Sequence, residues 1–575
     1  MKRILYMLCA MVLAVGTAQA QQRNYSYALG GSAFTNDALS TSDFFSLSQQ
    51  QFHFASARSM AMAGAFTSLG ADQASLTINP AGLGMYQHGE FAITPLITNT
   101  KAETAGTLPF ESNTKSRFSL GNIGAVFNVY EGSGSWLSVN MGVGYTRLAD
   151  YNYNYSFAYG PSVGNASIAD AMSVMLEAGG AVVDHNGRVS MGGMSDWFID
   201  PFFWPAVAGY KSYMVDQNEA GVWYPGEIGD NAAVEGATSV RSRGSAGEIS
   251  FAIGGNYNNK LYVGATIGIM SLYQRQDIYY GESYSYDGGN GYDSATKAVY
   301  ADGTLLPSVM QAMGMMQSMR VDGVGVNFKL GVVYRPIESL RLGLALHTPT
   351  YYSLDRRYGL SMSTVSLGET SPTDPTTHEY TSDVFSDVLE DNGPNSWDFY
   401  SPTRLMVGAS YTLGRFAILS VDYERTWYNG IRVKGQPYLP YGPGESDFKQ
   451  DFKNYFQGGN TLRVGLEVRP VPMMALRVGY GYSGSALKEE TTILSKPANY
   501  ETTCYTAGLG FNLGRVCYLD LAYCYATNQM TEYMLFYGNR YPESYSSEPA
   551  EIYESGRFKT ELEQHNFALT FGVRF

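Results

Sequence analysis

Beyond its first residues the sequence has no run of about 18 apolar residues, so nothing in it reads as a helix crossing an inner membrane. It is short of positive charge. Lys and Arg number 38 against 52 Asp and Glu, a formal net charge of −14, and a chain without a basic footprint is not built for nucleic acid. Cysteine is scarce: of four, Cys9 lies in the N-terminal apolar run. The other three, Cys504, Cys517 and Cys524, are an odd number that excludes a fully paired framework. The six histidines (His53, His88, His185, His347, His378 and His565) are scattered, without metal-ligand spacing. There is no G-x-S-x-G elbow and no phosphate loop. No catalytic set, metal site or cofactor is expected, and the chain does not read as an enzyme.

The N-terminus does carry a signal. Lys2 and Arg3 precede an apolar run over residues 4–15, and Ala18-Gln19-Ala20 supplies the small residues of a cleavage site. Residues 1–20 are expected to be removed on export, leaving a chain that begins at Gln21. Tyr6-Met7-Leu8 lacks the small residue that a lipid-attachment site needs before Cys9.

Aromatic residues make up 14% of the chain, with 46 Tyr and 64 Gly, a balance that suits a barrel with apolar outer faces and aromatic rims. Alternation is the stronger signal, because a lipid-exposed strand must be apolar on one face only. Phe567, Leu569, Phe571, Val573 and Phe575 share one face of the last segment; Asn566, Ala568, Thr570, Gly572 and Arg574 share the other. Leu462 to Val468, Leu476 to Tyr482 and Leu340 to Leu346 repeat the pattern. Strands are expected at 89–99, 116–129, 136–148, 246–258, 261–276, 320–334, 339–350, 398–413, 415–428, 460–470, 474–484, 501–513, 516–529 and 563–575. These are about fourteen, an even number as closure requires. A phase slip near Gly121-Asn122 predicts a bulge. Short turns alternate with the long connections 100–115, 149–245, 277–319, 351–397, 429–459, 485–500 and 530–562, as periplasmic turns alternate with extracellular loops. The expected fold is an all-β transmembrane antiparallel barrel over 89–575, with both ends on the periplasmic side.

Residues 59–86 (SMAMAGAFTSLGADQASLTINPAGLGMY) fit none of this. The stretch is rich in Ala, Gly and Ser, carries one charge, Asp72, and is interrupted at Asn79-Pro80. It is too irregular to span a membrane and too apolar for a solvated linker. Residues 21–88 are therefore expected to form a plug, or hatch, in the barrel lumen.

The run Arg58-Ser59-Met60-Ala61-Met62-Ala63-Gly64-Ala65-Phe66, followed by Asn79-Pro80-Ala81-Gly82-Leu83, resembles the N-terminal hatch of the FadL/TodX-type outer-membrane transporters. Residues 342–349 (LGLALHTP) and 461–482 extend the resemblance along the chain, and a last strand ending in Phe575 resembles the assembly signal of outer-membrane barrels. The transporter resemblance implies fourteen strands around a hatch, and passive uptake of hydrophobic small molecules such as long-chain fatty acids or aromatic hydrocarbons. It also implies capture by extracellular loops, a lumenal pocket above the hatch, and lateral exit into the outer-membrane lipid through a kinked third strand. A monomer is expected.

Within that frame, Met60, Met62, Phe66, Ile78, Leu83 and Met85 are the candidate hatch contacts, with Asn79 and Pro80 fixing its turn. Leu305, Leu306, Val309, Met310, Met313 and Met316 fall near helical spacing in the 277–319 loop and offer an adaptable apolar capture surface. The alternative is that they pack the loops together. A second helix is expected at 168–178, beside an aromatic cluster of Trp197, Phe198, Phe202, Phe203 and Trp204. Gly142 and Gly144 face the lumen in the third strand and are the lateral-gate candidates. Lys329, Arg341, Arg404, Asp422, Glu424, Arg463, Glu467, Arg477 and Asp520 also face inward, and their mixed signs predict a paired network. Cys504 and Cys524 share an inward face and are expected to remain thiols. Two other readings stay open: a scaffold or shuttle for a secretion or surface protein partner, and uptake of haem-like aromatic ligands.

Overall fold

The computed structural model describes residues 41–575 apart from 50–51, 53–54, 106–112, 163–165, 196–198, 200–202, 287–307, 369–370, 382–395, 435–444, 489–500, 515, 535–536, 541–550 and 555–556. The proposed signal peptide at 1–20 lies outside the described residues.

Fourteen antiparallel strands close on themselves. In chain order they are β1 (Glu90–Ala105), β2 (Thr114–Glu131), β3 (Trp136–Asp150), β4 (Ala232–Tyr257), β5 (Leu261–Tyr286), β6 (Ser308–Ile337), β7 (Leu340–His347), β8 (Arg404–Leu413), β9 (Ala417–Trp427), β10 (Gly458–Val471), β11 (Met474–Ser483), β12 (Thr502–Leu513), β13 (Cys517–Met534) and β14 (Arg557–Arg574). Each pairs with its neighbours in sequence, and β14 returns to β1 from Glu90↔Arg574 to Ala105↔Lys559. The alternation has a physical cause that β6 illustrates. Val324, Val326, Phe328, Leu330 and Val332 are exposed on its outer face, while Asn327 and Lys329 are buried on its inner face. The expected bulge is present: between β1 and β2 the register shifts at Thr94/Pro95, skipping Gly121. Pro95 has no N–H to donate there, which favours a break in the ladder. The β4–β5 turn is set by Asn258 and Asn259 at φ 53° and 55°, a left-handed conformation that Asn tolerates better than most residues.

Three expected loops are shorter than the sequence implied. β4 begins at Ala232, β5 continues to Tyr286 and β6 begins at Ser308, so their wall rises well beyond the 9–11 residues or so that a bilayer needs. Beyond β7 the wall continues as the strand Tyr351–Gly368, which still pairs with β6. The break between them is Thr348-Pro349-Thr350. The expected 398–413 strand is likewise divided into Ser396–Tyr400 and β8.

The expected capture helix is not a helix. Met310, Met313 and Met316 lie on β6, and pairing with β5 and with Tyr351–Gly368 imposes a period of two over the helical spacing. Val309, Met310 and Met313 are buried, whereas Met316 faces out at 44% exposure. Leu305 and Leu306 lie outside the described residues. The second helix is present at Ile168–Ala178, its N-terminus closed by a Ser167/Asp170 capping box and by Glu282, which accepts from the Ile168 N–H at 2.8 Å. This helix and Trp204–Lys211 pack on the raised wall around Met172, Trp204, Val207, Tyr280, Met313 and Met315, forming an apolar cap at the long-loop end of the barrel. Phe203 and Trp204 belong to that core; Trp197, Phe198 and Phe202 are outside the described residues.

Candidate functional site

Three groups of residues occupy the lumen, the first toward the short-turn end of the strands. This first group is the hatch, built from irregular turns that cap themselves. A short helix, Ala57–Ala61, starts at a Ser56/Ser59 capping box. A 3₁₀ turn, Gln73–Leu76, starts at Asp72, and another, Pro80–Met85, starts at Asn79 with Pro80 in its first position. Ser56 joins the first two by donating to Asp72 at 2.7 Å.

The barrel wall satisfies further hatch backbone groups, since a buried N–H or C=O without a partner is costly. Asn140 donates to the carbonyls of Leu83 (2.7 Å) and Tyr86 (3.1 Å), Thr266 to that of Leu76 (3.1 Å), and His347 Nε2 lies 2.8 Å from that of Ile78. Asp422 accepts from Thr67 N–H at 2.6 Å and Thr570 from Ala57 N–H at 2.7 Å. Asn79 itself donates to the Thr67 carbonyl at 2.6 Å. Inward-facing glycines bring the wall this close. A Cβ on Gly264 would strike Pro80, on Gly343 the Thr67 backbone, on Gly465 Met62 and on Gly508 Ala61.

The structure distributes the candidate hatch contacts rather than gathering them. Met62, Phe66 and Ile78 pack with Ala345 and Met406; Met60 packs with Cys504 and Cys524; Leu83 packs with Leu76, Tyr86 and Val126; Met85 lies against Ala81, Tyr262 and Val333. Asn79 and Pro80 are buried at the turn. Gly142 and Gly144 both abut Leu76, which a Cβ at either would meet within 3.0 Å. Across them β3 stays in register with β2 and with β4; its shifts lie nearer the strand ends. Cys504 and Cys524 are buried thiols whose sulfurs are 3.1 Å apart.

The second group is charged and sits at two levels, above the hatch around Glu424 and Lys329 and nearer the short turns around Glu467. Glu424 bridges Arg404 (2.7 Å) and Arg463 (2.8 Å). Glu467 takes Arg58 of the hatch (3.0 Å) and Arg477 (2.7 Å), and Arg477 also reaches Asp520 at 2.6 Å. Lys329 pairs with Glu248, to which Asn327 also donates. Seven of the nine expected charges are thus paired; Asp422 instead accepts from the Thr67 N–H of the hatch, and Arg341 Nη1 lies 3.7 Å from Met85 Sδ. Arg58 entered the sequence reading only as part of the hatch motif, and Glu248 not at all, although Glu248 sits on the inward parity of β4 and could have been found from it.

The third group was not foreseen. Helix α1 (Thr41–Ser48) lies at the outer mouth of the lumen with Phe44, Phe45 and Leu47 buried. Phe44 sits 5.2 Å from Phe399, 5.4 Å from Phe448 and 5.9 Å from Trp397 between ring centroids; Phe45 sits 5.0 Å from Tyr428 and 4.8 Å from Phe456. Phe448, Phe452 and Phe456 come from the segment between β9 and β10 that includes helix α2 (Glu445–Tyr455), and Leu272, Val321 and Tyr352 from the wall. The arrangement is an aromatic compartment, edge-to-face in part, that an N-terminal apolar segment enters.

A closed fourteen-stranded barrel with residues 55–86 packed against its inward-facing glycines now stands beside a family match over residues 229–575, described as outer membrane protein transport protein (OMPP1/FadL/TodX). The chain belongs to this family. Members are outer-membrane channels for hydrophobic compounds and are not enzymes. Solved structures similar to the chain include a Pseudomonas aeruginosa FadL homologue (10% identity, 91% of this chain and 100% of that one, TM-score 0.46). Others are the Ralstonia pickettii toluene transporter TbuX (14%, 91% and 99%, 0.45) and the Pseudomonas putida toluene transporter TodX (14%, 92% and 100%, 0.44). The chain matches no curated protein by sequence.

Proposed function

We propose that this FadL/TodX-family barrel is a monomeric channel for passive uptake of hydrophobic small molecules, long-chain fatty acids or aromatic hydrocarbons, and that their binding compartment is the aromatic mouth now filled by Phe44 and Phe45. The observation that carries this reading is the seating of those two rings among Trp397, Phe399, Tyr428, Phe448 and Phe456. An apolar ligand that takes their place would recover the same burial, about 1.5–3 kcal/mol for each large apolar side chain it replaces.

The charged residues below disfavour an apolar solute, and their ion pairs are mutually satisfied. Passage therefore requires the hatch residues to shift. Withdrawal of Leu76 from Gly142 and Gly144 would leave a small-residue patch in β3, next to the lipid, as the lateral exit. Met60, Met62, Phe66, Ile78, Leu83 and Met85, with the Asn79-Pro80 turn, would then line the route. Among the loop candidates, Val309, Met310 and Met313 are buried in the apolar cap and support capture only by holding it together.

The test is fatty-acid and toluene uptake by cells, together with mass spectrometry of small molecules carried by the purified protein. Phe44→Ala with Phe45→Ala should change ligand affinity at least severalfold, and Phe448→Asp should abolish retention. Unchanged uptake in both variants would sink the reading. Co-purifying polypeptides with no apolar ligand would favour a secretion scaffold, and a visible absorption band would favour a haem-like ligand.

A further inference from the structure

On the outer wall of the barrel, four arginines stand directly opposite one another across four consecutive strands: Arg243 of β4 against Arg275 of β5, Arg275 against Arg320 of β6, and Arg320 against Arg357 of Tyr351–Gly368. All four share the parity of lipid-facing residues, Ile249 and Phe251 on β4, Ile267 and Ile269 on β5 and Val324 on β6. At about 4.8 Å between strands the row is roughly 14 Å wide. Like charges placed directly opposite in a sheet are destabilising, and this chain is acidic as a whole.

Height places the row at a membrane boundary. On β6 the outward positions Val324 to Tyr334 are apolar or aromatic. They cover about ten residue steps, roughly 25 Å of height at a tilt of about 40°, the thickness of the apolar band of an outer-membrane barrel. Tyr273 lies one outward position below Arg275, as an aromatic girdle residue would. Arg320 lies about four steps above Val324, roughly 10 Å, in the headgroup layer.

The inner two arginines are held in place. Arg275 Nε donates to Asp277 at 3.0 Å, and Arg320 Nε donates to Asp322 at 2.7 Å with its guanidinium 5.4 Å from the Tyr273 ring. Arg243 and Arg357, at the two ends, are exposed and make no ion pair among the described residues. Acids flank the row on both sides: Asp355 and Asp322 face one another in the next row down, and Asp277, opposite Arg241, lies in the next row up.

We propose that this row binds the phosphate groups of an outer-leaflet lipid headgroup, the lipid's acyl chains lying against the apolar faces of β4, β5 and β6. Arginine suits the task because its planar fork of donors matches a phosphate bidentately and its charge does not titrate. Bound phosphate would remove the like-charge cost of the row. The site is on the opposite side of the wall from the transport compartment and does not depend on what that compartment carries.

The experiment is native mass spectrometry of the full-length, detergent-extracted protein titrated with diphosphorylated lipid A, its dephosphorylated counterpart and inorganic phosphate. The phosphorylated lipid should be retained and the dephosphorylated one lost. Arg243→Ala with Arg357→Ala should weaken retention about tenfold or more, and Arg243→Lys with Arg357→Lys should weaken it severalfold, because the charge survives but the planar fork does not. Heat-modifiable mobility on a gel verifies that each variant is folded, and the lysine pair carries the test if the alanine pair is not. Equal retention of both lipids, or undiminished retention in the alanine pair, would overturn the proposal. Displacement of the lipid by millimolar inorganic phosphate would overturn the headgroup assignment in favour of a free anion.

Discussion

The Thr41 hydroxyl donates to the Asp451 carboxylate at 2.9 Å, joining the N-terminal helix α1 to helix α2 across 410 residues of sequence. Burial pushes the Asp451 carboxyl up to about 6; Asp447 adds to the shift, and the Thr41 hydrogen bond opposes it. Between the ordinary carboxylate range near pH 4 and about pH 6, the folded protein therefore holds a proton that the unfolded chain releases. Stability of this junction is greatest below that window and falls as pH rises through it. After allowance for partial exposure the effect is about 1–2 kcal/mol. Amide exchange at Phe44 and Phe45, corrected for intrinsic rates, should be slower at pH 5 than at pH 8, and Asp451→Asn should remove the difference. A slope of the opposite sign would contradict the assignment.

Asn79 is fully buried and both caps the Pro80–Met85 turn and bonds the Thr67 carbonyl. Asn79→Ala should cost about 2–3 kcal/mol, the combined loss of a cap and of a buried donor. The loss should fall on the hatch. Protease cleavage between residues 56 and 86 should rise, while heat-modifiable mobility of the barrel changes little.

Gly343 faces the Thr67 backbone, leaving no room for a side chain. Gly343→Leu should displace the hatch from that wall without unfolding the strands, whose ladder does not use the side chain. Planar-bilayer recordings should then show ion conductance absent from the parent protein. A silent variant that is folded would argue that the hatch does not seal the lumen.

Glu424→Gln leaves Arg404 and Arg463 buried beside a neutral amide. Removing the shared countercharge should cost about 3–5 kcal/mol. A triple replacement of the group by apolar residues of similar volume should cost less than the single change. Thermal unfolding of the three proteins side by side gives the comparison, and equal losses would show that the pairing matters less than the volume.

The barrel was readable because lipid imposes a strict constraint: in segments such as 462–468 and 566–575 every second residue is apolar, and no helix shares that period. The bulge at Gly121 was readable for the same reason, as a break in phase. The upper wall was not. Between Ser308 and Met319, inward and outward residues meet protein or water rather than lipid, so the outer face no longer has to be apolar. Methionines at 310, 313 and 316 then mimic a helix. The hatch was legible as a stretch that fits no strand, yet its candidate contacts belong to four separate packing groups. Helix α1 escaped notice because its partners, Phe399, Phe448 and Phe456, lie more than 350 residues away. Nothing local in Asp43-Phe44-Phe45 distinguishes a buried segment from a loop.

One consequence concerns assembly. Residues 41–86 run from the outer mouth to the inner end of the lumen, and the hatch backbone at Ala57 is tied to Thr570 on β14, which also meets Thr94 of β1. The two strands that must meet last are thus joined through the segment they enclose. A cylinder already shut would have to admit that segment lengthwise past Glu424, Glu467 and their arginines. Closure around a threaded N-terminus is the simpler order, and it makes the plug a template for the seam rather than a stopper added afterwards.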